Sequence, residues 1–168
     1  VPVAGVGARI EALPGSPGTG ELVLRSDCTS EGYLGDPAAA GRTWRGGEFW
    51  TGDVAARTHD GGFRILGRLS EALATPAGPL LAPVLDEEIT ATGAVAEAVA
   101  LPRRTDGLGS EVVVAVRPEG GGAEAVAAAR TVLLRHGLRG SVACVDAVPR
   151  TEVGKVDKPL LRARWGLR

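Results

Sequence analysis

No methionine occurs anywhere in the 168 residues, and aromatic and imidazole side chains are scarce, with one tyrosine, two phenylalanines, three tryptophans and two histidines. The missing methionine leads to the expectation that Val1 opens in mid-domain and that the chain is a processed or excised piece of a longer protein. Only two cysteines are present, Cys28 and Cys144. They lie far apart, in neither CxxC nor Cys/His spacing, which argues against a zinc site or a disulfide framework and leaves both as expected packing residues. His59 and His136 have no partners at metal or triad spacing, so they are expected on the surface and no protein-held metal is expected. No apolar run approaches the roughly 18 residues that a spanning helix needs, and the N-terminus lacks a basic region followed by an apolar stretch. A cytoplasmic setting without membrane contact is the expectation. The net charge of −1 carries no basic excess that would point to nucleic acid.

What the chain does have is turn chemistry, with 25 glycines and 11 prolines, alongside a globular balance of 44% hydrophobic and 23% charged residues. The length permits one ordinary domain or two small ones. Apolar alternation predicts strands over Val3–Leu13 and Glu21–Arg25, split by the cluster Pro14-Gly15-Ser16-Pro17-Gly18. Residues 27–47 read as a long loop or a short surface helix containing the isolated aromatics Tyr33 and Trp44. Strands are predicted at Glu48–Thr51 and Phe63–Leu66, with His59-Asp60-Gly61-Gly62 turning the chain between them. Past Gly67-Arg68 the composition shifts to Ala, Pro and Gly without a clear period up to Pro83, which marks a domain boundary. Beyond it the spacing predicts a helix over Pro83–Thr92, strands over Val95–Leu101 and Glu111–Arg117, and a helix over Ala123–His136. A strand over Ser141–Val148 and a final helix over Asp157–Arg164 follow. The Ala123–His136 helix is assigned from Val126, Arg130, Leu133 and Leu134 at helical spacing, with Gly137 as its stop. Alternating strands and helices give an α+β fold.

Three motifs carry chemistry. The first is Phe49-Trp50-Thr51-Gly52-Asp53, preceded by Gly20-Glu21-Leu22 and Gly32-Tyr33-Leu34-Gly35-Asp36-Pro37. Taken alone, Thr51-Gly52-Asp53 is a turn at a strand end. Asp53 has a second use, because a carboxylate can accept hydrogen bonds from both hydroxyls of a ribose. The second motif is Asp60-Gly61-Gly62-Phe63-Arg64-Ile65-Leu66-Gly67-Arg68. There the planar fork of Arg68 either stands in solvent or reaches phosphate oxygens. The third runs from Val148 through Pro149-Arg150-Thr151-Glu152-Val153-Gly154-Lys155-Val156-Asp157 to Lys158. A lysine in such a loop is ordinarily solvated.

In order and spacing these motifs resemble those of the adenylate-forming superfamily, which contains acyl-CoA synthetases, peptide-synthetase adenylation domains and luciferase-like enzymes. The third motif matches the family's terminal signature almost position by position. The resemblance implies that residues 1–67 are the end of the large AMP-binding domain, a β-rich, barrel-like piece, and that residues 68–168 are the small α+β lid. It implies Lys155 as the mobile catalytic lysine, Asp53 as the ribose ligand with Thr51 and Gly52 shaping the turn, Arg68 as a phosphate contact and Ser70 as the hinge. Two departures stand out. The family pivot is usually Asp or Lys where this chain has Ser70, and Leu73-Ala74-Thr75-Pro76-Ala77-Gly78 replaces a segment that usually carries a lysine before a Ser/Asn-Gly turn.

ATP or AMP, Mg²⁺, a carboxylic acid, and CoA or the phosphopantetheine of an acyl or peptidyl carrier protein are the ligands and partners the resemblance implies. The N-terminal AMP-binding part, on the same or a partner chain, would complete the site. The chain alone is therefore expected to be inactive. Its alternatives are a non-catalytic or split-enzyme interaction module, and a ligase relative that makes no thioester. A solvated face or an acidic-carrier contact remain the two readings of the helix bearing Arg130, Arg135 and His136.

Overall fold

Alternating apolar side chains and glycine-rich turns produce antiparallel strands in the N-terminal half of the computed structural model, which describes residues 3–30, 32–103 and 111–167. The chain forms two compact units, Val1–Leu69 and Ser70–Arg168. In the first, β1 (Val6–Leu13) and β2 (Ser16–Ser26) make a hairpin, with a register shift at Ala12/Leu13. A short helix, α1 (Pro37–Thr43), follows. Asp36 caps it by accepting the Ala39 N–H at 2.8 Å, and Pro37 occupies its first position, where a missing N–H costs nothing. Next come β3 (Trp44–Arg45), β4 (Glu48–Arg57) and β5 (Phe63–Arg68). The strand order is β1-β2-β4-β3, with β5 also paired to β4. Val23, Val54 and Ala55 are buried in this unit. Tyr33 and Trp44, isolated in sequence, meet edge to face at 5.0 Å, and Trp44 lies 5.0 Å from Phe49. This cluster anchors α1 and its approach to β4.

The second unit opens with a 3₁₀ turn, Leu69–Glu71, that begins one residue before the unit's boundary. The periodless segment then proves to be a β-hairpin of β6 (Ala72–Thr75) and β7 (Gly78–Leu81). Its turn is made by a threonine side chain: Thr75 Oγ1 donates to the Gly78 carbonyl at 2.6 Å and accepts the Ala77 N–H at 3.2 Å. Such hydroxyl-closed turns leave no hydrophobic period to read.

Helix α2 (Ala82–Thr90) leads to β8 (Val95–Pro102), β9 (Glu111–Pro118), α3 (Gly122–Arg135), β10 (Arg139–Cys144) and α4 (Lys158–Arg164). The sheet order is β10-β9-β8, with β8 antiparallel and β10 parallel to the central β9. The parallel step is made through α3, the crossover that parallel pairing demands.

Both faces of this sheet are covered. Val112, Val114 and Val116 of β9 join Leu85 and Ile89 of α2 and Ala125, Ala129 and Val132 of α3 in one core. Val113 and Ala115 point the other way, into a second core with Val99, Leu101, Val148, Leu161 of α4 and Leu167. Double coverage explains why β9 reads Val-Val-Val-Ala-Val without polar alternation. Each fully buried valine or leucine contributes about 1.5–3 kcal/mol.

Four expectations are corrected here. The buried stripe of α3 is Ala125, Ala129, Val132 and Leu133, whereas Leu134, read at helical spacing, is 76% exposed; Arg130 is exposed, in keeping with a solvated face. Small alanines let the helix backbone approach the sheet, and the larger side chains at the wrong phase point outward. Cys28 and Cys144 are both free and exposed rather than packed. His136 is half-buried, its Nε2 lying 2.8 Å from Glu88 Oε2, so it ties α3 to α2. Strand β4 runs on to Arg57 through Gly52-Asp53, because Thr51, Gly52 and Asp53 together lie opposite Leu22 in the β2–β4 ladder and this irregularity absorbs the glycine that reads in sequence as a strand end.

Candidate functional site

Four of the residues singled out from sequence converge in the first unit. Thr51, Gly52 and Asp53 lie on β4, and Arg68 ends β5 directly across from Asp53 in the strand register. Arg68 Nη1 stands 2.9 Å from Asp53 Oδ1 and donates to the Thr51 carbonyl at 3.2 Å. The guanidinium thereby spans the turn and orients the carboxylate. Both groups keep access to solvent, with side-chain exposures of 61% for Arg68 and 29% for Asp53.

The turn itself is fixed from below. Thr51 Oγ1 donates to the Leu22 carbonyl at 2.7 Å and accepts the Asp53 N–H at 3.0 Å. Gly52 has φ +69°, a left-handed conformation that a side chain would strain. Its N–H donates to Glu21 Oε1 at 2.9 Å. Glu21, only 8% exposed, is the buried charged residue among those described. It stood in the Gly20-Glu21-Leu22 motif, yet the sequence offered no sign that its carboxylate would hold the Gly52 peptide. That contact joins two motifs separated by 31 positions.

Ser70 is exposed and opens the second unit. The next residue, Glu71, receives Lys158 Nζ at 2.6 Å. Lys155 belongs to this second unit and projects from a tight antiparallel turn. Arg150 and Val156 bridge, Thr151 N–H donates to the Lys155 carbonyl at 2.7 Å, and Gly154 N–H donates to the Thr151 carbonyl at 2.8 Å. Asp157 N–H donates to the Pro149 carbonyl at 2.8 Å and closes the base. Gly154, at φ +80°, makes the reversal possible. The sequence reads as a loop around Lys155; the structure closes that loop as a hydrogen-bonded hairpin.

Lys155 itself is exposed and makes no ion pair among the described residues. Its flanks are anchored. On one side Arg150 pairs with Glu97 of β8 and donates to the Gly154 carbonyl at 3.4 Å. On the other, Asp157 caps α4 by accepting the Leu160 N–H at 2.9 Å, and Lys158 holds Glu71. The hairpin therefore presents one unneutralised ammonium on a fixed base, an arrangement suited to meeting developing negative charge.

One further carboxylate is perturbed. Asp86 of α2 is pushed up to about 7, chiefly by burial and against the opposing effects of the Ala100 N–H and Lys158. Its Oδ1 accepts that N–H at 2.5 Å. Among the described residues, no group of three or more His, Cys, Asp or Glu side chains is placed to hold a metal ion. No helix among them is long and apolar enough to cross a membrane.

No family model matches the chain. Its sequence is 32% identical over 152 residues to a feruloyl-CoA synthase of Amycolatopsis sp, covering 88% of this chain and 31% of that protein. Among solved structures, the amide bond synthetase McbA from Marinactinospora thermotolerans matches with TM-score 0.62 and 25% identity, over 96% of this chain and 34% of that one. ATP-bound MatB from Rhodopseudomonas palustris matches with TM-score 0.67 and 24% identity, over 96% and 34%. The chain spans about a third of the length of the relatives it matches. By sequence and by fold, the chain belongs to the adenylate-forming superfamily and corresponds to the C-terminal portion of its members.

Proposed function

We propose that the chain is the C-terminal part of an ATP-dependent ligase that activates a carboxylic acid as its acyl adenylate and then transfers the acyl group to a thiol. The observation that carries this reading is Lys155, an exposed ammonium without an ion-pair partner among the described residues, set on an anchored hairpin in the family's terminal motif. In the first half-reaction a carboxylate oxygen attacks the α-phosphorus of ATP, the bond to the bridging oxygen breaks, and pyrophosphate leaves. Negative charge gathers on the phosphoryl oxygens as the two anions approach. The Lys155 ammonium would bridge both and stabilise that charge.

Asp53 would accept the ribose hydroxyls through the oxygen that Arg68 leaves available, and Gly52 would let the nucleotide come close to the backbone. Arg68 would turn its remaining N–H groups toward phosphate oxygens. The donor set in the first unit fits a nucleotide. It does not fit an independent Mg²⁺ site, so no residue of this chain is assigned to hold the metal. Ser70 would serve as the pivot about which the second unit turns between half-reactions. The acyl acceptor would be CoA or a carrier-protein phosphopantetheine, and the N-terminal AMP-binding part would supply the rest of the pocket.

Two measurements test this. Lys155→Ala in the longer enzyme is expected to cut adenylate formation by a hundredfold or more while sparing transfer from a preformed adenylate; equal losses in both would remove the assigned role. Residues 1–168 alone are expected to show no acid-dependent pyrophosphate exchange, and exchange above background would contradict the division of labour.

A second reading has one observation in its favour. The segment that usually carries a lysine is here a closed β6–β7 turn around Pro76, whose ring lies where a Cβ on Gly137 would come within 3.2 Å. A rigid, lysine-free turn suits a relative that passes the adenylate to an acceptor other than a thiol. Product formation with and without CoA in the longer enzyme separates the two.

A further inference from the structure

The Lys155 hairpin and the hinge are joined by an ion pair. Lys158 follows the hairpin directly and opens α4, while Glu71 follows Ser70 and closes the 3₁₀ turn. Although 87 residues separate them, Lys158 Nζ and Glu71 Oε1 stand 2.6 Å apart. Both are partly sheltered, with side-chain exposures of 28% and 21%. Shelter makes such a contact firmer than a surface pair, because salt screens it less and removal of one partner leaves the other poorly solvated. A third group stands in the same field. Asp86 lies within electrostatic reach of Lys158 and Glu71, and its Oδ1 holds the Ala100 N–H of β8. At the opposite arm, Arg150 is fixed to Glu97 of β8.

We propose that Glu71 and Lys158 are positioning residues that latch the Lys155 hairpin to the hinge turn, so that rotation at Ser70 carries the lysine as one rigid piece. Neither residue touches substrate. Their effect runs through the orientation of the hairpin, and the proposal rests on the ligase reading for its catalytic consequence. Without the latch, the exit arm of the hairpin keeps its backbone hydrogen bonds, the Asp157 cap and the packing of Val156 and Leu161 on the second core, but loses its tie to the hinge turn. Lys155 would still be present and charged, but spread over more orientations, which lowers the fraction of lid closures that deliver it correctly.

The test has two arms. In the 168-residue chain, amide hydrogen exchange at Thr151, Gly154 and Asp157 is compared among wild type, Glu71→Gln, Lys158→Met and the charge-swapped Glu71→Lys/Lys158→Glu protein. Exchange at these hydrogen-bonded amides is expected to rise about tenfold in the single variants and to return toward wild type in the swap. Melting temperatures confirm that each variant is folded. In the longer enzyme, the single variants are expected to lower kcat for adenylate formation about tenfold with KM for ATP unchanged, and the swap to recover most of it. A merely structural role would move exchange across the whole second unit and would show no recovery in the swap.

Unchanged hairpin exchange in both single variants overturns the latch, whatever the enzyme does. Altered exchange with unchanged kcat overturns the positioning role. A wild-type enzyme that forms no adenylate overturns the ligase reading instead, and the exchange arm then still decides whether the hairpin and hinge are tied.

Discussion

Asp53 and Arg68 occupy facing positions in the β4–β5 ladder and join through a 2.9 Å ion pair, so the two motifs that contain them act as one structural unit. The consequence is that neither side chain can be altered without disturbing the other. Asp53→Asn retains the shape but loses the charge that pairs with the guanidinium and that, in the proposed role, would draw both ribose hydroxyls. It is expected to weaken AMP binding by the longer enzyme about ten- to a hundredfold in calorimetric titration. Arg68→Ala is expected to weaken binding as well, because it also releases the carboxylate. With Arg68 mostly exposed, the pair adds less than about 1 kcal/mol to stability. Melting temperatures should therefore stay close to wild type, and a large drop would mean that the pair is structural.

Glu21 is the hidden support of the same turn. Its carboxylate is 8% exposed and accepts the Gly52 N–H at 2.9 Å. Glu21→Gln keeps an acceptor oxygen in place, whereas Glu21→Ala leaves the Gly52 N–H without its partner. An unsatisfied buried donor costs about 1–3 kcal/mol. Glu21→Ala is expected to destabilise the protein by about 2 kcal/mol in urea unfolding and to weaken AMP binding by the longer enzyme, with Glu21→Gln affected much less on both counts. Equal losses in the two variants would show that the carboxylate's charge matters more than its acceptor.

Sequence pattern revealed the α+β fold because its strongest signals were local: alternation in β1 and β2, a continuous apolar run in β9, and a glycine stop after α3. It failed where side chains do the work of the backbone. The β6–β7 turn is closed by the Thr75 hydroxyl, and no periodicity announces that. It also failed where small residues pack, since alanines 125 and 129 carry the buried face of α3 while Leu134 points to solvent. At the site, the motifs named Thr51, Gly52, Asp53, Arg68, Ser70 and Lys155, but not what orients them. Glu21, Glu71 and Arg150 act across 31, 87 and 53 positions. Contacts at such separations exist only after folding.

Gly154 offers a sharper test of the Lys155 hairpin. Its φ of +80° lies in the left-handed region, and open space surrounds the position a Cβ would take. Gly154→Ala would therefore meet no clash and would bear only the backbone cost of roughly 1–2 kcal/mol. The strain is expected to surface as reduced protection of the Thr151 and Gly154 amides with little change in the rest of the second unit. In the longer enzyme it should lower adenylation more than transfer. Unaltered protection would mean that the turn tolerates a side chain and that glycine is not needed there for geometry.

Asp86 makes the stability of the second unit depend on pH in a direction unusual for a carboxylate. Burial raises it from its ordinary 3.8 to about 7, against the Ala100 N–H and Lys158, which favour the charged form; the nearby Glu71 and Glu87 raise it further. Below about pH 4 the group is protonated in both folded and unfolded chains, and its contribution to stability is fully present. Between about pH 4 and 7 the unfolded chain releases the proton while the folded chain keeps it, so stability falls as pH rises. Above about 7 the group is ionised in both states and the loss levels off. Asp86→Asn removes the titration yet retains an oxygen to accept the Ala100 N–H. In the first unit, Glu48 is held below its ordinary range by Arg9, and Asp60 by the Thr58 hydroxyl and the Gly62 N–H. Their stabilisation runs the opposite way, being lost as pH falls, but it is common to both proteins and cancels in the difference. Urea unfolding at pH 4 and pH 8 is expected to show the variant gaining on wild type by on the order of 1–3 kcal/mol at the higher pH. A difference independent of pH would mean that Asp86 ionises as freely in the folded chain as in the unfolded one.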